Sequence, residues 1–493
     1  THDVMLQTDN TLDEVVLTGV ATGTSTRKLG FAVSKISEQG LQDVPASDPG
    51  NALRAKITGI RVVQASGNPT SAPEIRLRGS TSISGNQSPL YLVDGIMLEG
   101  GTRDINVEDI KSVEVVKGAA GSSLYGSLAG NGVVQYFTYR GKESRDFKVS
   151  LRSEYGWSEL PNAYPISKRH NYEMSNGKFV FNNAGQLQNE ADGLKDNVYP
   201  EYNDNLKEVL TSQPTLTNYI SISKGTENFN FHASAQNTEV GGLISSLPPY
   251  KRKNFRINAD YKEDKFDFAS SISYAKSDGF SIQEQGQGAN FFYSALIAEP
   301  FVNLTEKDKE GKFKSSPTGY NWGGSSNIQN PLYIGSVVKF ESDTERFMGR
   351  FAFNYKIDDN LSLNFAQSID RGSNRFYNFY PKGFETPTPG TLNDGFILKS
   401  NNQFELLLSE ASINYRGEFG DFKIGTTFKY QFENRERVGE TASGRKFLAL
   451  GVESLQNTTQ DTRSIFSYVQ DEIAENIFLN LDIDFQDKLI LNL

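Results

Sequence analysis

The chain of 493 residues contains no cysteine and only three histidines, His2, His170 and His232. The absence of cysteine excludes disulfides and thiolate metal sites, and three scattered histidines cannot by themselves form a histidine metal cluster. No stretch approaches the roughly 18–20 consecutive apolar residues that a transmembrane helix requires. No basic segment followed by an apolar one opens the sequence, so we expect residue 1 to be a mature or trimmed start.

A basic excess and a recognisable catalytic motif are also missing. The formal net charge is −10, which argues against nucleic acid as a partner. The glycine-rich segment 118–126 resembles a phosphate-binding loop but lacks its Gly-Lys-Ser/Thr ending. Because the sequence shows no Ser/His/Asp arrangement, metal cluster or phosphate loop, we predict that the chain is not an enzyme and uses no cofactor or metal.

Aromatic side chains, by contrast, are abundant. Only 37% of the residues are hydrophobic, yet there are 33 Phe and 22 Tyr. A membrane β-barrel needs this combination, because alternate residues face lipid and aromatic girdles lie at both interfaces.

Apolar and polar residues alternate in many segments beyond about residue 142. In segment 228–237, Phe229 and Phe231 fall on one face, and Asn230 and His232 fall on the other. The same period of two recurs in segments 255–262, 347–356, 422–432 and 477–485. This period predicts β-strands with one apolar face.

Short and long connections alternate between these strands. We predict tight turns at 225–227, 263–264, 358–360 and 417–420, and long polar loops near 158–214, 277–343, 371–403 and 433–461. This alternation favours an outer-membrane barrel over a soluble β-sandwich, which has no reason to segregate loop length. We count about ten to twelve strands. The last stops at Leu493, and because a barrel must close, we expect the C-terminal part to be missing.

The first 142 residues or so have a different texture, with short apolar strands, glycine-rich turns and short helices. Asp48 or Ser47 ahead of Pro49 predicts a helix N-cap, with the helix running through Ala55. Asn106 is predicted to cap the turn that follows it, and Asp94 to fix a turn without acting as a catalyst. The segments that carry a resemblance are LDEVVLTG (12–19), LGFAVSKIS (29–37), GNALRAKITGIRV (50–62), IRLRGSTSISGNQSPLYLVDGI (75–96) and INVEDIKSVEVVKGAAGSSLYGSLAGNGVV (105–134).

Taken in this order, these segments resemble the plug domain of TonB-dependent receptors. The form PLYLVDGI, with LDEVVLTG upstream, is similar to the SusC/RagA branch. The resemblance implies a mainly β protein: a transmembrane antiparallel β-barrel, incomplete in this chain, with an N-terminal α+β plug domain inside it. We expect an N-terminal segment at 1–28, the plug at 29–142 and the first portion of the barrel, with long extracellular loops, at 143–493.

The resemblance also implies a function and partners. We expect TonB-dependent import of an oligosaccharide or oligopeptide across the outer membrane of a Gram-negative, Bacteroidota-like bacterium. The expected partners are TonB, a SusD-like surface lipoprotein and outer-membrane lipid. One alternative is an iron-chelate or vitamin receptor of the same superfamily, and another is a surface adhesin or secretion-linked barrel.

One segment resembles the TonB box, the peptide through which such receptors are energised. An extended, β-prone peptide can add as a strand to the sheet edge of a periplasmic partner. The alternative is an ordinary first strand of a preceding domain. The predicted TonB-box residues are Leu12, Asp13, Glu14, Val15, Val16, Leu17 and Thr18.

Two further groups of residues are candidates. Arg76, Arg78 and Glu114 are charges in or beside apolar plug strands, where unpaired burial is costly. The resemblance implies that they lock the plug to barrel residues of opposite sign. The alternative is that they are solvated plug-surface charges. A substrate could be bound by the aromatic stretch of one long loop, at Asn290, Phe291, Phe292 and Tyr293, since amides and aromatic rings suit sugars and peptides alike.

Overall fold

The computed structural model describes most of the chain, in eighteen stretches separated by gaps. No helix in these stretches is long and apolar enough to cross a membrane. Near the N-terminus, β1 (Val15–Val16) pairs antiparallel with β2 (Thr24–Ser25). The described residues are 15–16, 24–25, 33–42, 48–64, 72–77, 79, 83, 87–118, 120–141, 146–159, 165–183, 187–242, 244, 246–280, 291–317, 329–386, 392–486 and 488–492.

A small α+β domain, the plug, follows. Its elements are β3 (Val33–Ser37), α1 (Glu38–Gln42), α2 (Pro49–Ala52), β4 (Ile60–Val63), β5 (Glu74–Leu77), β6 (Leu90–Val93), β7 (Ile96–Met97), β8 (Ile110–Val116), α3 (Ala120–Tyr125) and β9 (Val133–Thr138), with 3-10 turns at Val107–Asp109 and Ser127–Ala129. Five strands form a mixed sheet in the order β3-β8-β9-β6-β7, in which β6 and β9 are parallel. Its apolar core includes Ile75, Val93, Val113 and Val134, each 0% exposed.

Polar caps set the local boundaries of the plug. Asp48 is the N-cap of α2, and its Oδ1 accepts a hydrogen bond of 2.6 Å from the Gly50 backbone N–H. The helix ends at Ala52, earlier than predicted, because Ala55 adopts a φ of +60° that a right-handed helix cannot include. Asn106 caps the 3-10 turn at Val107–Asp109, as predicted.

A large antiparallel sheet follows the plug. The elements of this region are β10 (Lys148–Trp157), β11 (Arg169–His170), β12 (Met174–Ser175), β13 (Lys178–Phe179), β14 (Asn197–Val198), α4 (Asn205–Val209), β15 (Pro214–Gly225), β16 (Phe229–Val240), β17 (Tyr250–Glu263), β18 (Phe266–Gly279), α5 (Phe291–Ile297), α6 (Pro331–Val337), β19 (Lys339–Lys356), β20 (Leu361–Tyr380), β21 (Phe396–Phe419), β22 (Phe422–Arg445), β23 (Ser464–Phe485) and β24 (Leu489–Asn492). Within the described ranges, eleven strands pair in the order β10-β15-β16-β17-β18-β19-β20-β21-β22-β23-β24. This number agrees with the ten to twelve strands predicted.

The strands extend further from the short turns than their apolar alternation indicated. β20 continues to Tyr380 and β21 already begins at Phe396, although 371–403 was predicted to be a loop. β22 continues to Arg445, into the predicted loop 433–461. The prediction was wrong there because the outward-facing residues change from apolar to charged part-way along each strand. On β20 the outward series Leu363, Phe365 and Ile369 is followed by Arg371 and Arg375, so the pattern of apolar residues ends before the strand does.

The outward apolar residues form a band beside the short turns. On β19 the band runs from Phe347 to Tyr355, with Phe347 40% and Phe351 48% exposed. A transmembrane β-strand needs about 9–11 residues, so this band has the length of a membrane crossing. Beyond it, Lys276 and Arg375 both pair with Glu345 across the outer face, at 3.3 and 2.9 Å.

At the other end of the strands, two long loops pack together into a cap. Its main cluster joins residues such as Leu206, Val209 and Leu304 around α4 and α5. Tyr172 and Tyr199, from one loop, donate hydrogen bonds of 2.6 and 2.5 Å to Glu299 of the other. The long loops therefore contain their own folded core.

Candidate functional site

The plug and the sheet meet at buried ion pairs, and Arg346 on β19 lies at their centre. Its side chain is 1% exposed, and Nε and Nη2 each donate to a carboxylate oxygen of Asp370 at 2.8 Å. Its Nη1 donates to the Gly101 carbonyl of the plug at 2.7 Å and lies 3.6 Å from Asp104. Because a bidentate pair fixes the plane of the guanidinium, the sheet presents a rigid cation to the plug.

Arg256 on β17 holds two plug carboxylates. Its Nη1 lies 3.3 Å from Asp94 Oδ2 and its Nε lies 3.7 Å from Asp109 Oδ2, and all three side chains are buried. Within the plug, the Thr138 N–H and hydroxyl also donate to Asp94. Burial opposes ionisation of Asp94, but the guanidinium groups of Arg140 and Arg256 hold the pKa of this carboxyl below its usual value. Asp94 is therefore an anion at neutral pH.

Glu99 lies at the end of the plug nearest the long loops and contacts β22. Its carboxylate is 2.9 Å from Arg435 Nε and accepts a bond of 2.6 Å from Arg437 Nε. The Glu99 backbone N–H donates to Asp370 at 2.7 Å. This end of the plug is thus tied to β20 and β22 by charge-assisted hydrogen bonds, which are stronger than neutral ones.

Polar contacts also surround a cavity at the other end of the plug. Arg140 of the plug pairs with Asp260 of β17 at 2.5 Å, and Glu410 on β21 pairs with Arg350 at 2.9 Å and Lys429 at 2.5 Å. These five residues line a cavity of about 1120 Å³ near the short turns. The cavity lies on the inner side of the sheet and meets the plug at Arg140.

Two of the three residues predicted to lock the plug, Arg76 and Glu114, have neighbours inside the plug. Arg76 donates from Nε to Glu74 at 2.7 Å within β5. Glu114 is 3% exposed and lies 4.0 Å from Lys35 on the neighbouring plug strand. Both contacts lie inside the plug, and Arg78 lies outside the described residues. A locking role for these three residues stays a prediction.

The plug carboxylates that do contact the sheet were not selected from the sequence. Asp94 was correctly assigned to a turn, where its φ is +49°, but its contact with Arg256 joins residues far apart in the chain. The sequence does contain a feature that could have predicted these contacts. Arginines such as Arg256, Arg346 and Arg350 occur on the polar face of alternating strands. A cation that recurs on the inward face of a barrel needs a counter-charge inside it.

The predicted TonB box is only partly described. Val15 and Val16 form β1 and pair with Ser25 and Thr24 of β2. Their backbone is therefore extended, as a strand-adding peptide requires. The other predicted residues, Leu12, Asp13, Glu14, Leu17 and Thr18, lie outside the described residues.

The structure corrects the predicted substrate contact at Phe291. This residue begins α5, is 2% exposed and belongs to an apolar cluster with Phe384, so its ring faces are not available to a ligand. Phe292 packs against the other cap cluster, and Tyr293 is partly buried on the same helix. Asn290 lies outside the described residues. A substrate role for the rest of this run stays a prediction. Apolar residues in a folded loop core have the same composition as an exposed ligand platform, so composition alone does not distinguish the two.

Comparisons with known proteins agree with this geometry. Residues 25–133 match the family model described as the TonB-dependent Receptor Plug Domain. The chain is 27% identical over 509 aligned residues to TonB-dependent receptor P26 of Formosa agariphila, covering 100% of this chain and 48% of that protein. It is 25% identical to TonB-dependent receptor SusC of Bacteroides thetaiotaomicron, covering 67% of this chain and 30% of that one.

Solved structures resemble the fold as well. The RagAB peptide importer in its closed-closed state superimposes with a TM-score of 0.77 at 18% identity, covering 94% of this chain and 54% of that chain. The ferric citrate transporter FecA superimposes with a TM-score of 0.56 at 12% identity, covering 97% and 61%. The chain spans about half the length of the curated relatives that match all or nearly all of it.

Proposed function

We propose that this protein, a chain of the SusC/RagA-type TonB-dependent receptors, takes part in active import of an oligosaccharide or oligopeptide across the outer membrane. In this proposal the sheet forms part of the barrel wall, and its outer apolar band contacts the lipid. The plug blocks the lumen until force from TonB displaces it. A SusD-like surface lipoprotein delivers the substrate to the side of the long loops.

The observation that carries this proposal is the polar character of the contact between plug and sheet. Arg256, Arg346 and Arg435 of the sheet hold carboxylates of the plug. Water can replace such ion pairs at small net cost, because charges that separate regain hydration. A plug held in this way can be pulled from the wall without exposing a large apolar surface, as a gated importer requires.

Energy enters, in this proposal, through residues 12–18. The extended pair Val15–Val16 already forms backbone hydrogen bonds with β2, so it has the conformation that a partner's sheet edge would accept. Binding by the partner would replace β2 as the pairing strand and transmit force to β3.

Deleting residues 12–18 from the receptor in its host tests the proposal. We expect uptake of labelled oligosaccharide or peptide to be abolished while the amount of assembled barrel stays unchanged. An equal deletion of residues 2–8 is the control and should leave uptake intact. Uptake that persists in the 12–18 variant, with the barrel assembled, would overturn the proposal.

Growth on defined nutrients distinguishes the proposed function from the alternative, an iron-chelate or vitamin receptor. If the intact receptor supports growth on a ferric chelate or a vitamin but on no oligosaccharide or peptide, the substrate class is wrong and TonB-dependent import stands. If no nutrient requires the receptor, while cells carrying it bind surfaces, the adhesin alternative replaces import.

A further inference from the structure

The inner wall of the sheet bears an uncharged row of side chains level with the end of the plug nearest the long loops. Cross-strand pairing aligns Thr344 with Asn374, Asn374 with Asn402, Asn402 with Gly439 and Gly439 with Tyr468, from β19 to β23. Residues along a strand alternate between faces, and the Arg103 guanidinium of the plug donates to Thr344 at 2.9 Å. The row therefore faces the lumen at the level of the plug.

Gly439 allows the aromatic ring of Tyr468 to lie directly over the neighbouring strand. A Cβ atom added at Gly439 would be 2.1 Å from Tyr468 Cε1 and 2.8 Å from Asn402 Oδ1. Only glycine leaves the ring room to cover the neighbouring strand in this way. The ring therefore lies against the wall at Gly439 and, by the register of β22 and β23, is on the inner side of the sheet.

Hydroxyl and amide groups flank the ring. One row further from the plug, the Ser400 and Thr441 hydroxyls are 2.8 Å apart, and Asn402 Nδ2 donates to Ser400 Oγ at 3.4 Å. This surface offers neutral donors and acceptors beside an aromatic face. That combination suits a pyranose, which has apolar ring faces and hydroxyls around its edge.

Charges adjoin this surface but are already paired. One row closer to the plug, Arg437 donates to Glu99, and Arg346 forms its bidentate pair with Asp370. A charged ligand at Tyr468 would lose hydration without gaining an unpaired counter-charge. The row thus favours a neutral ligand over a peptide with charged termini or a uronate.

We propose that Tyr468, Asn402 and Asn374, with Ser400 and Thr441, form a binding site for a neutral oligosaccharide on the barrel wall, beside the plug. A sugar stacks on the Tyr468 ring, and its hydroxyls bond to the amides and hydroxyls of β20, β21 and β22. A ligand there lies within two residues along the strand, roughly 7 Å, of the Arg437–Glu99 contact. The assignment rests on the proposed import function and selects among its substrates.

Calorimetric titration of the purified full-length receptor tests this site. The neutral probes are xylohexaose, mannohexaose and maltohexaose, and the comparison probes are an oligogalacturonate of the same length and a tryptic peptide digest. We expect at least one neutral probe to bind, and Tyr468→Ala to weaken it roughly tenfold. Tyr468→Phe keeps the ring and should retain binding. Gly439→Ala, which displaces the ring, should weaken it in the same direction.

Val469→Ala is the matched control, because Val469 is the next residue on β23, faces the opposite side and is 66% exposed. It should change affinity by no more than about twofold. The site is overturned if no neutral probe binds, if the charged probes bind instead, or if Tyr468→Ala binds like the native receptor.

Uptake measurements distinguish failure of the proposed sugar site from failure of the import proposal. Uptake that requires residues 12–18 but is indifferent to Tyr468→Ala leaves import standing and removes the site. Binding of a neutral probe that depends on Tyr468, in a receptor whose residues 12–18 are dispensable for uptake, removes TonB-driven import and leaves the site.

Discussion

The plug and the sheet distribute polarity in opposite ways. The plug buries Ile75, Val93 and Val113 completely and carries carboxylates on its surface. The sheet turns side chains such as Phe351 outward, at 48% exposure, and buries charged Arg346 on its inner side. The plug has an apolar interior and a polar surface, whereas the sheet is apolar on its outer side and polar on its inner side, the distribution typical of a membrane β-barrel.

This opposition explains how one chain can hold two bodies together mainly through polar surfaces. The surfaces that meet are polar on both sides, and ion pairs join them. Apolar contacts also occur, where Met348 of β19 joins the plug core and where Met97 packs with Leu406 and Leu408. The contact is therefore specific in geometry, yet it can open into water, whereas neither apolar core can.

The largest effect should come from breaking the ion pairs at their centre. Arg346→Ala leaves Asp370, 0% exposed, without its cation, and it removes one of the two cations near Asp104, which keeps Arg103. We expect a loss of about 3–5 kcal/mol in the free energy of unfolding, because a buried charge without its partner is not compensated. Thermal unfolding in detergent and hydrogen exchange at residues 99–104 measure it. Unchanged exchange there would contradict a central role for Arg346.

A charge placed on the outer band should have the next largest effect. Phe365 on β20 is 52% exposed and faces outward within the apolar band. If that band contacts lipid, Phe365→Lys should destabilise the assembled sheet by about 2–4 kcal/mol, as measured by reversible unfolding in lipid vesicles. Phe365→Leu is the control and should fold normally. Equal stability of the two variants would mean that this face is not in the membrane.

The plug should also respond to pH through Asp48. Burial raises the pKa of Asp48 from 3.8 to about 6. Because the folded-state pKa lies above the unfolded value, the native plug binds more protons between these two values. The free energy of unfolding of the plug should therefore fall by up to about 3 kcal/mol as the pH rises from about 4 through about 6.

Asp48→Asn keeps a capping oxygen and should flatten this pH profile. Asp204→Asn is the matched control, since Asp204 caps α4 on the exposed surface of a long loop. Hydrogen exchange of the plug across this pH range provides the measurement. A native profile in the Asp48→Asn variant would assign the dependence to another group.

The smallest effect should come from an ion pair on the outer face. Arg371 lies 3.6 Å from Glu405, with exposures of 64% and 37%. Exposed pairs contribute about 0–1 kcal/mol, because water screens them and the side chains lose freedom. Arg371→Ala should therefore leave the unfolding temperature nearly unchanged. A loss as large as that of Arg346→Ala would refute the contrast between inner and outer charges.

Local chemistry was readable from the sequence. Period-two alternation at Phe229 and Phe231 predicted strands, and Asp48 before Pro49 predicted a helix N-cap. These features depend on neighbours within a few residues. The far halves of β20 to β22 were missed because charged residues lie on both sides of a strand that has left the apolar band.

Long-range contacts were not readable in this way. Asp94 and Arg256 are separated by 162 residues, and the ring of Tyr468 is placed by Gly439 on the next strand. Phe291 looked like a ligand platform until the folded cap buried it. These contacts and the burial of Phe291 depend on which surfaces pack together in the fold, and local composition does not predict that packing.

The sequence by itself determined a plug followed by strands with one apolar face, because periodicity and capping act over a few residues. Only the tertiary structure decided which charges join the plug to the wall and which aromatic rings are buried in the folded loops. Strand register and the position of the plug set those contacts, and both arise from pairing between residues distant in the chain.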